Sequence, residues 1–202
     1  MVDRALKPDW NRLYEFAASQ EGHFTSAQAG DAGYSPQLLQ KHLKGGRIRR
    51  LGRGIYRVVH YPAGDHEDLV AAWLWSGHSG VFSHETALAL HELSDAMPTA
   101  IHMTVPARWA GRRLRVPQGL LLHHADIAEK ERGWVGSVRA TTVPRTLVDC
   151  AASSVEPRLV LQAFEDALAR GLVDRGSIPA VVAYLNGFFP ASRPARVRRS
   201  SP

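Results

Sequence analysis

The chain has 202 residues, 45% hydrophobic and 22% charged, with a formal net charge of +6, a make-up that supports a folded core and excludes an intrinsically unfolded chain. No apolar run approaches the roughly 20 residues needed to cross a bilayer, and the N-terminus lacks an apolar signal core, so a soluble cytoplasmic protein is expected. A single cysteine, Cys150, excludes an intrachain disulfide and a multi-cysteine zinc site, and its apolar helical context reads as a small buried side chain.

In chain order, residues 10–20 predict a helix, with Leu13, Phe16 and Ala17 at i, i+3, i+4 spacing, ended by Gly22. Thr25-Ser-Ala-Gln28 has the capping-box form and starts a short second helix, broken by Gly30, Asp31 and Gly33. Ser35-Pro36 starts a third helix: serine caps the free amides, and proline in the first helical position gives up no bond. That helix runs to Leu43 and stops at Gly45-Gly46. Residues 48–51 and 55–59, rich in β-branched and aromatic side chains, flank Gly52-Arg53-Gly54 and predict a hairpin with a cationic tip. Three helices followed by a wing predict a winged helix-turn-helix over residues 1–62.

On the third helix Leu39 and Leu43, helped by Leu38, are expected to face the core. Ser35, Gln37, Gln40, Lys41 and Lys44 then form the outward face. Glutamine can pair with adenine through two bonds, and lysine can donate to guanine or to phosphate. Between Lys41 and Arg57 the cations Lys41, Lys44, Arg47, Arg49, Arg50, Arg53 and Arg57 occur with no acid among them. A solvated face normally mixes signs, so this run is read as a surface for phosphates, with Arg53 placed to enter a minor groove. His42 receives no role. The charge distribution agrees. Residues 1–62 carry ten Lys/Arg against five Asp/Glu, residues 63–186 eleven against fourteen, and residues 187–202 four arginines and no acid.

Residues 61–64 predict a hinge. Asp65 is expected to cap a helix ending at Trp75, and Ser83 another over residues 84–90. Strands are predicted at 101–105, 120–124 and 138–141, and helices at 144–152, 156–170 and 177–185. The fold class is therefore α+β, a winged helix-turn-helix followed by a mixed α/β domain with a small sheet over residues 63–186. Residues 187–202 form a basic, proline-broken tail expected to be disordered.

Three stretches in this order, Val81-Phe-Ser-His-Glu-Thr-Ala-Leu-Ala-Leu-His-Glu-Leu93, Ile101-His-Met-Thr-Val-Pro106 and Thr142-Val-Pro-Arg-Thr-Leu-Val-Asp149, together with a wing ending Arg53-Gly-Ile-Tyr56, resemble the AbiE-type antitoxin family. The resemblance covers roughly residues 10 to 185. It implies a transcriptional regulator of a type IV toxin–antitoxin, phage-defence operon. The winged domain would bind repeats upstream of its own operon as a repressor, with room for two copies on inverted repeats. The following domain would relieve the toxicity of a nucleotidyltransferase without a stable complex. A stand-alone winged-helix repressor and a nuclease-related enzyme are the alternatives.

Read from its own residues, the second region offers no enzyme. Histidines 78, 84, 91, 102, 123 and 124 occur with Glu85, Asp126 and Asp149, but only the seven-residue step from His84 to His91 keeps one helical face, and no paired metal-ligand motif accompanies it. His123 and His124, adjacent on a strand, point to opposite faces. Ser83, His84 and Glu85 are adjacent and are not expected to converge. Neither catalytic residue, nor metal, nor cofactor is assigned. Arg145 and Asp149 are spaced for an i, i+4 ion pair. Arg108, Arg112, Arg113 and Arg115, around Gly111, form a basic loop expected either to be solvated or to contact nucleic acid.

Overall fold

Asp9 starts the first helix, α1 (Trp10–Ala18), by accepting a hydrogen bond from the Arg12 amide. This computed structural model describes residues 7–153 and 155–190. The capping box forms as the sequence requires at α2 (Ser26–Asp31): Thr25 Oγ1 accepts from the Gln28 amide, and the Gln28 side chain accepts from the Thr25 amide. Helix α3 (Pro36–Lys44) follows, capped by Ser35. Strands β2 (Ile48–Gly52) and β3 (Ile55–Val58) make the hairpin. A strand the pattern does not reveal, β1 (His23–Thr25), pairs antiparallel with β3 and completes a three-stranded sheet of order β1-β3-β2. Three residues are too few to display an alternation. Leu13, Ala17, Phe24, Leu39, Ile48 and Tyr56 fill the core of this part, with Phe24 stacked on Tyr56.

The rest of the chain builds a five-stranded mixed sheet of order β6-β5-β4-β8-β7. Its strands are β4 (Val81–Phe82), β5 (Ile101–Val105), β6 (Leu120–His124), β7 (Arg132–Val135) and β8 (Val138–Thr141). The predicted strands at 101–105, 120–124 and 138–141 form as expected. Central β4 is only two residues long, and β7 contains Gly133 and an exposed Trp134, so neither has a readable pattern. Helix α4 (Glu67–Trp75) shares one core with the sheet through Val70, Trp73, Phe82, Met103, Val105 and Val138. Helices α5 (His84–Leu90), α6 (Val143–Ala152), α7 (Pro157–Ala169) and α8 (Pro179–Phe188) share another around Leu88, Leu147, Cys150, Val160, Phe164 and Val181. No helix among the described residues is long and apolar enough to cross a membrane.

Three local expectations are corrected. Asp65 does not cap α4: His66 holds that position, without a side-chain capping bond. Ser83 sits at the N-cap of α5 but caps nothing, because its hydroxyl is bonded to Thr104 and His84 instead. The segment expected as a hinge is strapped at several points. Arg57 donates to the carbonyls of Tyr61 (3.1 Å) and Pro62 (3.0 Å) and pairs with Glu67. The Glu21 carboxylate accepts from the His66 amide and the Ser137 hydroxyl, and the Gln20 and His78 side chains are hydrogen-bonded at 3.1 Å. Gly22 makes this junction possible. Its φ is +85°, and a Cβ there would lie 2.7 Å from the Tyr61 Cβ. Ile55 of the wing belongs to the core under α4 rather than to that of the winged part. The tail expected over residues 187–202 falls outside the described residues beyond Pro190, and positions 187 and 188 complete α8.

Candidate nucleic-acid interface

Helix α3 is held at its start by Ser35, whose Oγ accepts from the Leu38 amide at 3.3 Å, and against the core by buried Leu39. Leu38 and Leu43 are partly buried against the same cluster. The opposite face carries Ser35, Gln37, Gln40, Lys41 and Lys44, all exposed. Gln37 and Gln40 also line a groove with Tyr34 and Tyr56. His42 is half-buried beside Trp10 and Tyr34, and burial first, then Arg47 and Lys41, holds its imidazole below the ordinary value. It acts as an aromatic spacer under the helix.

Beyond α3, Arg47, Arg49, Arg50 and Arg53 are exposed. Arg50 Nε donates to the Gly52 carbonyl at 3.0 Å, which lays that side chain along the wing. Arg49 reaches Glu67 at 3.2 Å with its side chain still 53% exposed. Lys41, Lys44, Arg47 and Arg53 take part in no ion pair among the described residues. Arg57 departs from the expectation. It is 4% exposed, paired with Glu67, and donates to three carbonyls. An arginine buried in this way, with both terminal nitrogens engaged, cannot reach a phosphate, so Arg57 is removed from the interface and assigned to holding the winged part on α4.

The loop between β5 and β6 presents Arg108, Arg112, Arg113 and Arg115 to solvent. Arg112 lies over the Trp109 ring, 5.2 Å from its centroid. Arg113 and Arg115 line, together with Arg53, Trp75 and Trp109, a cavity of about 710 Å³ between the wing, α4 and this loop. Two basic segments more than fifty residues apart in sequence thus meet at the wing. Arg108 lies elsewhere, in a hollow with Asp126 and Arg132.

The second region also brings together histidines that no spacing in the sequence pairs. His84, His102 and His123 come together, each with a ring nitrogen within 4.8 Å of those of the other two. Burial lowers all three imidazoles, and the mutual repulsion of the rings adds to this for His84 and His123; His84 is pushed down to about 3. His124 points to the other face, as its place beside His123 on a strand requires. A sequence scan for paired ligands on one helix cannot find this set, because its members lie on three elements and only the β5/β6 register aligns them. Arg145 and Asp149 pair at 2.8 Å as their spacing predicts, and Glu131 joins at 3.1 Å. Burial outweighs Arg145 and raises the Asp149 carboxyl. Cys150 is buried, which raises its thiol and keeps it protonated.

Residues 11–59, from α1 through the wing, match the family of transcriptional regulators described as AbiEi antitoxins. The resemblance read from the sequence is met over that region. No curated protein matches the chain. Among solved structures, that of the RV2827C protein from Mycobacterium tuberculosis is similar at 15% identity with a TM-score of 0.46, covering 91% of this chain and 82% of that one.

Proposed function

We propose that this chain is a DNA-binding transcriptional regulator, the autorepressing antitoxin of a type IV toxin–antitoxin operon whose toxin is a nucleotidyltransferase. The observation that carries the reading is the exposed face of α3 continued by the wing: Gln37 and Gln40 stand among Lys41, Lys44, Arg47 and Arg53, with no acid between Lys41 and Arg57. This face lies in the segment that matches the regulator family. Gln37 and Gln40 read base edges from the major groove. Lys41, Lys44 and Arg47 fix the helix on phosphates, and Arg53 enters the neighbouring minor groove. Arg113 and Arg115, beside the wing, extend the basic surface so that flanking phosphates are held by the second region. Two copies would occupy the halves of an inverted repeat. The proposed regulator acts in the cytoplasm and performs no catalysis of its own.

The test is fluorescence anisotropy of a duplex from the gene's own upstream region against a scrambled duplex, at two salt concentrations. Wild type is expected to prefer the upstream duplex, and a Gln37→Ala/Gln40→Ala/Lys41→Ala variant to lose that preference. Equal, weak, salt-sensitive binding of both duplexes by wild type overturns the operator reading. Co-expression with an adjacent nucleotidyltransferase gene tests the antitoxin half: restored growth supports it, and unrelieved toxicity refutes it while leaving the repressor standing.

A further inference from the structure

Away from the face assigned to DNA, the three histidines meet on one side of the five-stranded sheet. Strands β5 and β6 run parallel, with Thr104 opposite His123. His102, two residues before Thr104, therefore lies on the same face as His123, one pleat repeat away. His84 arrives from the first residue of α5 with φ of +53°, a left-handed backbone uncommon for a non-glycine residue and tolerated where the surroundings fix it.

We propose that His84, His102 and His123 form a binding site for a divalent transition metal, zinc first, with a fourth position open to water. Three imidazoles and an open position are an established ligand set for this ion. The facing nitrogens, His102 Nδ1 and His123 Nε2, are 3.1 Å apart. Two imidazole nitrogens on one tetrahedral zinc, each at about 2.0–2.1 Å, stand about 3.3 Å from one another, so a shift of a few tenths of an ångström admits the ion. The other nitrogen of His102 is already engaged, since Glu85 Oε2 lies 3.3 Å from Nε2. A proton on Nε2, donated to that carboxylate, leaves the Nδ1 lone pair aimed at His123. Carboxylate, histidine and metal in that order is the usual way a protein orients such a ligand.

His84 is held differently. Its Nδ1 is 2.9 Å from Ser83 Oγ, which is itself bonded to Thr104 at 2.8 Å, and its Nε2 is 3.0 Å from Ser153 Oγ. Its ring stacks on that of His123, centroids 3.6 Å apart and planes 14° from parallel. Stacked rings do not direct their lone pairs at one point. Binding therefore turns the His84 ring out of the stack at the cost of one hydroxyl bond. The exposed Ser153 can satisfy itself with water. The ion ties the β5/β6 edge of the sheet to the start of α5.

Tag-free full-length protein, stripped with chelator, is titrated with zinc by calorimetry, and with cobalt(II) to read coordination number from the visible spectrum. One equivalent of zinc and a four-coordinate cobalt spectrum are expected. His102→Gln and His123→Gln should each weaken zinc binding at least tenfold, and together abolish it, while His124→Gln changes nothing. Glu85→Gln touches no proposed ligand atom and leaves the three rings in place, so it guards against loss of fold. It should weaken binding about tenfold, the lower end of what such orienting partners contribute. No stoichiometric uptake by wild type, or equal uptake by the doubly substituted protein, overturns the site. DNA binding is not needed for any of these readouts.

Discussion

The two parts of the molecule use their cations in opposite ways. In the winged part Lys41, Lys44, Arg47 and Arg53 point into solvent and join no ion pair among the described residues. In the second region Arg132 and Arg139 converge on Glu129, and Arg145 lies between Glu131 and Asp149. Charges that are paired serve the fold, and charges held apart and exposed are available to a polyanion from outside. Exceptions at the junction locate the seam between these regimes. Arg49 and Arg57, in the winged part, pair with Glu67 of α4, whereas Arg113 and Arg115, in the second region, lie exposed beside the wing. The boundary between uses of charge therefore runs through the three-dimensional junction and not through residues 61–64.

Arg57 stands at that seam, and its removal should cost the most. Arg57→Ala removes a buried cation from Glu67 and from three carbonyls, and truncating one member of such a pair costs about 3 kcal/mol. Thermal unfolding should fall accordingly, whereas Arg53→Ala, four residues earlier, should leave the midpoint unchanged. Equal midpoints for both variants would show that burial does not separate their roles. Next in size is Gly22→Ala. The new methyl meets Tyr61 at a left-handed position, and strain of this kind costs about 2 kcal/mol. Protease susceptibility at residues 61–64 is the sharper readout, because the strap should loosen before the winged core does.

A third test uses pH. His23 is fully buried, and its imidazole is lowered mainly by burial, against the opposing pull of the Gln20 and Glu21 carbonyls. A histidine lowered on folding binds its proton more readily when unfolded. Its contribution is complete above the unfolded value of about 6.5 and is lost as pH falls below it. Stability should thus decline on acidification from pH 6.5, by at most about 1.4 kcal/mol per pH unit for this one group. His23→Asn keeps a donor near the two carbonyls but cannot charge, so the decline should be shallower in urea unfolding across that range. An identical slope would assign the acid sensitivity to the other histidines lowered by burial, His42 and those of the second region.

The winged part was legible because its signals are local. A capping box, a Ser-Pro helix start, a Gly-Gly stop and a Gly-Arg-Gly tip each sit within a few residues, and each acts where the sequence places it. The long strands and helices of the second region were also readable from periodicity. What escaped depends on pairing at a distance. Strand β1 exists because β3 accepts it, β4 is two residues held between β5 and β8, and the histidine cluster depends on the β5/β6 register. The burial of Arg57 escapes a local pattern for a related reason. Within residues 41–57 it looks like one more unpaired cation, and its partner Glu67 lies across the chain's turn into α4.

The smallest effect on stability is also the most direct test of the contrast, because the same change is made once on each side. Lys44→Ala removes an exposed charge from the last turn of α3, and Arg139→Ala removes one already shared with Glu129 and laid over the Trp134 ring. Neither should move the unfolding midpoint far, since an exposed lysine contributes little and surface pairs are weak. Their effects on DNA should differ. If Lys44 neutralises one phosphate, the slope of log affinity against log salt falls by about 0.9 for Lys44→Ala and stays unchanged for Arg139→Ala. Arg113→Ala decides whether the loop beside the wing belongs with the first or the second: a reduced slope joins it to the DNA face, and an unchanged slope leaves it a solvated rim of the cavity. If Lys44→Ala and Arg139→Ala altered the slope equally, binding would be following net charge rather than the α3 face, and the division between paired and available cations would lose its functional meaning.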